Sequence, residues 1–379
     1  MTPASLLVAL AGAALAVVTL WDAFETILVP RRIGRRFRFT RYFYVFTWRA
    51  WRRLARGIRK PSRREGLLGI YGPISLILLL MCWAAGLIVA FALLQFSMVE
   101  SGAMRLTHLG PMLYLSGETF FTLGFGDITP ATTAGRMLSV LEAGTGFAFL
   151  GTVIGYLPTM YSAFSQREIA ISMLDARAGS PPTAAELLRR AHAAGGGDLM
   201  DAALRDWERW AAQVLETHIS YPQLAYYRSQ HSNQSWLAAL TAILDTCALI
   251  LAGVEATPRP QAKLTFAMAR HALVDVLQIF VTRYTPAASD RLPREELVRL
   301  AASLEKSPVM LTPSPELEER LGALRRMYEP YAQALAAYLL FELPPWFHPA
   351  PRRDNWRGAP WDRLLGAAPE LDEPGEEHF

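Results

Sequence analysis

Three long stretches without charge constrain this chain more than any other feature. They cover 4–21, 66–99 and 137–164, the last interrupted only by Glu142. Each can cross a hydrocarbon core of about 30 Å as a helix. No Lys or Arg precedes residue 31, so the first stretch lacks the basic start of a secretory signal and we expect it to be retained.

The composition indicates a membrane part followed by a water-exposed part. Hydrophobic residues make up 52% of the chain and charged residues 19%, which is too apolar for a soluble protein and too charged for one buried wholly in lipid. The two cysteines exclude a disulfide framework, and no Cys/His spacing suits zinc. We therefore expect no cofactor and no enzyme activity, since no nucleophile–base pair or phosphate loop stands out.

A basic block sets the predicted orientation. Residues 31–64 contain fourteen Lys/Arg and no Asp or Glu, although the whole chain is only +4. By the positive-inside rule this block is cytoplasmic, which places the N-terminus outside and everything after the third stretch in the cytoplasm. Its position between two spans argues against nucleic-acid binding. We predict a multi-pass protein of the inner (cytoplasmic) membrane.

The loop between the second and third stretches carries the most specific motif. Residues 109–122 are apolar but too short to cross, which suits a re-entrant helix. Residues 116–130 read Ser-Gly-Glu-Thr-Phe-Phe-Thr-Leu-Gly-Phe-Gly-Asp-Ile-Thr-Pro. This segment resembles the pore of potassium channels, whose filter is Thr-Val-Gly-Tyr-Gly-Asp or a close variant. The resemblance covers roughly residues 70–165 and implies an outer helix, a re-entrant pore helix and an inner helix.

The resemblance assigns the selectivity filter to Thr122, Leu123, Gly124, Phe125 and Gly126. Backbone carbonyls of the first four would replace the water of a permeant K⁺. Pointing successive carbonyls inward requires a left-handed backbone at alternate residues, which glycine adopts cheaply. Because the ion cage needs four strands and each chain supplies one, the resemblance implies a homotetramer. Phe125 replaces the commoner tyrosine and Leu123 the valine, so weaker selectivity is a further expectation.

Four residues near the filter have two interpretations each. Glu118 and Asp127 could share a proton behind the filter, as in the family, or be a helix-end acid and a solvated charge. We expect Glu142, an acid at membrane depth, to face the cavity, the alternative being that it pairs behind the pore helix. Gly146 falls where the family's inner helix carries its hinge, and packing is the alternative.

Two acids on one helical face, Asp22 and Glu25, follow the first stretch. Pairing with Arg31, Arg32 or the rest of the basic segment is the simpler interpretation, and a coupling role is the other. Arginines recur every third residue over part of the segment, but the pattern is broken and lies in no apolar span, which disfavours voltage sensing.

Residues 48–63 predict an amphipathic helix at the inner leaflet. Its apolar face carries Trp48, Trp51, Leu54 and Ile58, and its basic face carries Arg49, Arg52, Arg53, Arg56 and Lys60. Such a helix is attracted to anionic lipid, so gating by lipid is one hypothesis.

The remainder predicts a helical regulatory domain and a tail. Thr183 and Glu186 form a capping box. We expect helices at 184–194, 199–217, 233–255, 261–283, 294–305 and 315–341. A polar-aromatic cluster that includes His218, Tyr227, Arg228 and His231 could bind a small-molecule regulator or a proton, the alternative being buried polar groups that join helices.

The sequence thus predicts an all-α membrane protein with a tetrameric pore-loop potassium channel core. The predicted parts are an N-terminal transmembrane helix (1–30), a basic amphipathic segment (31–66), a pore domain (67–165), a helical cytoplasmic regulatory domain (166–345) and an extended or disordered tail (346–379). The predicted function is passive K⁺ conduction gated by the cytoplasmic domain or by lipid. A weakly selective cation channel, or a non-conducting sensor or scaffold with the same fold, is the alternative.

Overall fold

The computed structural model describes residues 2–29, 38–98, 108–194, 196–231, 233–254, 259–280, 289–305, 307 and 309–349. Over these residues the chain is helical without a strand, which confirms the all-α class. Contacts divide it into two compact units, Met1–Ser162 and Ala163–Phe379. The predicted tail from 350 onward lies outside the described residues.

The first unit contains four helices and the start of a fifth. They are α1 (Pro3–Ile27), α2 (Phe39–Arg56), α3 (Pro61–Ser97), α4 (Leu109–Phe120) and α5 (Thr133–Ala178). Helices α1, α3 and α5 are long and apolar enough to cross a membrane, which confirms the three predicted spans. Helix α5 continues into the second unit.

Helix α1 packs antiparallel along α3. A Cβ on Gly12 would lie only 2.8 Å from the carbonyl oxygen of Ala90, so the absence of a side chain lets the two backbones approach closely. Further along, the indole Nε1 of Trp83 donates to Asp22 Oδ2 at 3.0 Å. Residue numbers rise on α1 as they fall on α3, which fixes the relative direction.

The predicted acids of the first span join it to the basic segment. The backbone N–H of Thr40 reaches Asp22 Oδ2 at 3.2 Å, and the Thr40 hydroxyl donates to the same oxygen at 2.6 Å. Asp22 therefore caps the N-terminus of α2 from another helix, where a negative charge is favourable. Glu25 pairs with Arg38 at 3.4 Å. Pairing with the basic segment is thus confirmed, while Arg31 and Arg32 lie outside the described residues.

The predicted amphipathic helix has different bounds and a different neighbour. Helix α2 begins at Phe39 and ends at Arg56 with Gly57 as its C-cap residue, and α3 begins at Pro61. The ring of Trp48 lies 4.8 Å from that of Tyr71, so Trp48 packs on α3. Ile58 and Lys60 fall outside the helix, and Leu54 is exposed.

The second unit is a bundle around one apolar helix. After the end of α5 its helices are α6 (Ala184–Ala194), α7 (Gly197–Ser220), a 3₁₀ turn (Pro222–Tyr226), α8 (Trp236–Ala252), α9 (Arg259–Phe280), α10 (Arg294–Leu304), α11 (Pro315–Arg326) and α12 (Glu329–Leu339). Helix α8 is buried along almost its whole length, so it forms the core. Helices α9 and α12 pack against α8, and α7 packs against α9.

Two details at the ends of helices refine the sequence predictions. Thr183 Oγ1 accepts from the backbone N–H of Glu186 at 3.2 Å, which is the first half of the predicted capping box; Glu186 instead binds arginines of its own helix. The helix predicted at 315–341 is two helices, since Pro330 cannot donate to the carbonyl of Arg326. At the start of the predicted tail, Trp346 is buried.

Candidate functional site

The predicted filter begins at the end of α4. The backbone N–H of Thr122 donates to the carbonyl of Thr119 at 3.1 Å, and that of Leu123 donates to the carbonyl of Glu118 at 2.7 Å. The last turn of α4 therefore holds the first residues of the filter. The helix bounds agree with the re-entrant helix expected at 109–122.

The backbone alternates along the predicted filter. Thr122, Gly124 and Gly126 have φ values of 55°, 63° and 77°, whereas the described residues between them, Leu123 and Phe125, lie outside the left-handed region. Two of the three positions are the glycines that the sequence singles out. The third costs about 1–2 kcal/mol because it carries a side chain, and strain of this kind persists where the surroundings enforce it.

Side chains of this segment are uncovered within the chain. Leu123 is 58% and Phe125 68% exposed, which is unusual for large apolar residues that follow a buried helix. The segment from Thr122 to Asp127 is exposed throughout. Nothing in the described part of the chain packs over it.

Asp127 is bound by a residue that sequence reasoning missed. The hydroxyl of Tyr114 donates to Asp127 Oδ1 at 3.2 Å. Glu118 is buried, and its Oε2 has no hydrogen-bond partner among the described residues. No hydrogen bond joins Glu118 to Asp127 in that part of the chain, so the shared proton stays a prediction. The spacing of four residues between Tyr114 and Glu118, which puts both on one helical face, is the signal that could have found Tyr114.

The expectation that Glu142 faces the cavity is wrong. The residue is fully buried within its own chain, and its Oε1 is hydrogen-bonded to the hydroxyl of Ser116 on α4. The alternative interpretation, an acid behind the pore helix, is the one that the contacts support. The hydroxyl of Ser116 gives the buried carboxyl the polar partner that burial requires.

Gly146 marks a close helix crossing. A Cβ there would lie 2.1 Å from the carbonyl oxygen of Phe120, at the C-terminus of α4. Packing therefore requires a glycine at this position, whether or not the helix also bends here. A Cβ added to Gly151 or Gly155 would meet no atom within 4 Å in the described part of the chain, so no contact there requires a glycine at either position.

In the second unit, His218 lies in a buried hydrogen-bond cluster. Its Nδ1 contacts the carbonyl of Val214 at 2.8 Å, and its Nε2 lies 3.4 Å from Arg167 Nη1. Arg167 also donates to the carbonyls of Leu224 and Tyr227, both at 2.9 Å. Burial, and then the positive charge of Arg167, lower the pKa of His218 from 6.5 to about 3. The residue stays neutral at physiological pH and cannot sense protons there.

The other cluster residues are also bonded within the unit or point to solvent. Arg228 donates to the carbonyls of Leu339 and Leu340 at the end of α12 and stacks 3.9 Å from the centre of the Phe341 ring. Burial raises the pKa of Tyr227 to about 12, and His231 is exposed. These contacts favour the interpretation of polar groups that join helices over that of a ligand pocket.

A second buried network was not predicted. Arg291 binds both carboxylate oxygens of Asp245, at 3.1 and 2.7 Å, and also Glu329 at 3.2 Å. The hydroxyl of Tyr328 donates to Asp245, and the ring of Trp346 lies 5.6 Å from the Arg291 guanidinium. Asp245, the single charge in α8, was the available signal, because a buried acid needs a partner. The network joins the core to the C-terminal segment.

Among the described residues, no group of three His, Cys, Asp or Glu could hold a metal ion.

Comparisons with known proteins bear on the segment that contains the predicted filter. Residues 76–163 match a family model described as "Ion channel". The chain is also 26% identical, over 266 residues, to the uncharacterized membrane protein YdjJ of Bacillus subtilis (strain 168), a match that covers 67% of this chain and 74% of that protein. No solved structure matches the chain. This all-α membrane protein thus carries, at residues 76–163, an ion channel domain of the two-helix pore-loop kind.

Proposed function

We propose that the protein is a potassium-selective channel and that Thr122 to Gly126 form its filter. The alternating backbone is the observation that carries the proposal: left-handed φ values recur at Thr122, Gly124 and Gly126. This alternation turns successive carbonyls to one side, where they can replace the hydration shell of K⁺. A loop that only connected two helices would have no need of a strained Thr122.

We propose that four chains surround one pore. A single chain supplies one strand of carbonyls, and a cage around K⁺ needs four. Exposed apolar residues support this assembly, since Val140, Phe147 and Ile154 recur every seven residues along α5. A heptad stripe of this kind suits packing against the same helix of other chains.

The basic face of α2 supports a lipid partner. Arg49, Arg53 and Arg56 are exposed, as are Phe46 and Leu54. This mixture suits a helix at the surface of an anionic leaflet. We propose that the basic segment lies on the cytoplasmic side of the inner membrane, which places the N-terminus outside and the C-terminal unit in the cytoplasm. We also propose that the C-terminal unit or the lipid regulates opening of the channel.

The test is ion flux through liposomes that contain the purified protein and opposing K⁺ and Na⁺ gradients. Gly124→Ala should abolish flux, because an alanine at φ 63° costs about 1–2 kcal/mol in each chain. Gly110→Ala is the matched control, since its Cβ meets nothing within 4 Å. Equal Na⁺ and K⁺ flux would favour the weakly selective channel, as Phe125 lacks the tyrosine hydroxyl that can brace a filter. Loss of flux in both variants would contradict the assignment.

A further inference from the structure

The Ser116 hydroxyl lies between two oxygens from different helices. Its Oγ is 2.7 Å from the carbonyl oxygen of Ile88 on α3. It is also hydrogen-bonded to Oε1 of Glu142 on α5. Ser116 itself belongs to α4, so three helices meet at this one side chain.

The number of hydrogens decides the protonation state of Glu142. A serine hydroxyl carries one hydrogen and a backbone carbonyl carries none, so two full-strength hydrogen bonds at this oxygen need a second hydrogen. The second hydrogen has a single source among these three groups, the carboxyl of Glu142. We propose that Glu142 is a protonated acid that donates to Ser116, which in turn donates to the carbonyl of Ile88.

The surroundings of Glu142 support this assignment independently. Glu142 is fully buried, and its Oε2 has no hydrogen-bond partner among the described residues. An ionised carboxylate would carry its charge there with at most one donor, whereas a neutral acid leaves one carbonyl oxygen unsatisfied. Apolar clusters flank the site on α3 and α4, one formed by Ala84, Leu87 and Phe120 and the other by Ala92, Met112 and Leu115.

The chain of two hydrogen bonds makes Glu142 a positioning residue for the pore helix. It ties α4 to α3 and α5 two residues before Glu118, whose carbonyl holds the backbone of Leu123. A shift of α4 would therefore move the entrance of the filter. The effect on conduction rests on the proposed channel function, but the protonation state does not.

Infrared difference spectroscopy tests the proton directly. The spectrum of the wild type minus that of Glu142→Gln, at neutral pH, should contain the carbonyl stretch of a protonated carboxylic acid. Glu295→Gln is the control, because Glu295 is exposed and its substitution should remove only carboxylate bands. A Glu142→Gln difference with carboxylate bands alone would overturn the proposal, whatever the protein conducts.

Two variants distinguish the role of the hydrogen-bond donor at position 142 from that of the side-chain volume. Glutamine keeps a donor at the same distance, so Glu142→Gln should retain wild-type K⁺ flux. Glu142→Leu fills the space without a donor and should reduce flux by about tenfold, as expected for a buried hydrogen bond that is lost. Equal flux in Glu142→Leu and wild type would show that the bond positions nothing, and a larger loss in Glu142→Gln than in Glu142→Leu would contradict the donor role.

Discussion

Replacing Gly146 by alanine distinguishes a packing glycine from a hinge. The new Cβ would lie 2.1 Å from the carbonyl oxygen of Phe120, 2.9 Å from its carbon and 3.2 Å from its Cα. Since all three atoms are backbone at the end of α4, no side chain can rotate away. The inner helix or the pore helix must move by about 1 Å, which a close-packed interior resists.

The expected cost follows from two opposing contributions. Overpacking costs about 1–3 kcal/mol, and a backbone neighbour places this substitution at the upper end. Alanine gains about 1 kcal/mol over glycine inside a helix. The free energy of unfolding should therefore fall by about 2 kcal/mol per chain.

Equilibrium denaturation in mixed micelles measures that free energy. Gly144→Ala is the matched control on the same helix, because its Cβ meets nothing within 4 Å; it should be as stable as the wild type or slightly more so. If Gly146→Ala unfolds at the wild-type denaturant concentration and changes only channel opening, the packing argument is refuted and a hinge is favoured.

Three further predictions concern other buried polar groups. The folded-state pKa of His218 lies below its ordinary 6.5, so the unfolded chain binds more protons, and the free energy of unfolding of the second unit should fall by about 2 kcal/mol between pH 7 and pH 5. Hydrogen exchange in that unit measures this fall, and His218→Gln should remove the part of the pH dependence that His218 causes. Asp22→Asn should lower the free energy of unfolding by about 1–3 kcal/mol because it weakens the cap on α2, whereas Asp206→Asn, at an exposed position, should leave it unchanged. Denaturation curves of Asp22→Asn and the wild type that coincide would refute the cap. Arg228→Lys should lower the melting temperature of the second unit, since lysine lacks the planar guanidinium that binds two carbonyls at the end of α12 through two nitrogens and stacks on Phe341. An unchanged melting temperature with a lost regulator response would instead indicate a ligand site.

The sequence could predict features that depend on local patterns. Apolar length is enough to locate α1, α3 and α5. The resemblance to the potassium channel filter is enough to locate Gly124 and Gly126, at which glycine adopts a left-handed backbone cheaply. The capping box at Thr183 likewise depends on residues close in sequence. These signals require no knowledge of distant neighbours.

The remaining features depend on which helix covers which face. An acid at position 142 can face a cavity or a neighbouring helix, and only the position of Ser116 decides between them. The same holds for Trp48 and Trp51, because an aromatic face suits lipid and a packed helix equally well. Asp22 shows the limit most clearly, as it caps a helix that begins 17 residues after it.

The reversal potential of single channels in a planar bilayer tests the central claim most directly. With K⁺ on one side and Na⁺ on the other, the proposed filter predicts a reversal potential far from zero and negative on the K⁺ side, as for a K⁺-selective pore. It predicts no current from Gly124→Ala. A reversal potential near zero, or the same current from the variant, would contradict the claim that the alternating backbone from Thr122 to Gly126 selects and conducts K⁺.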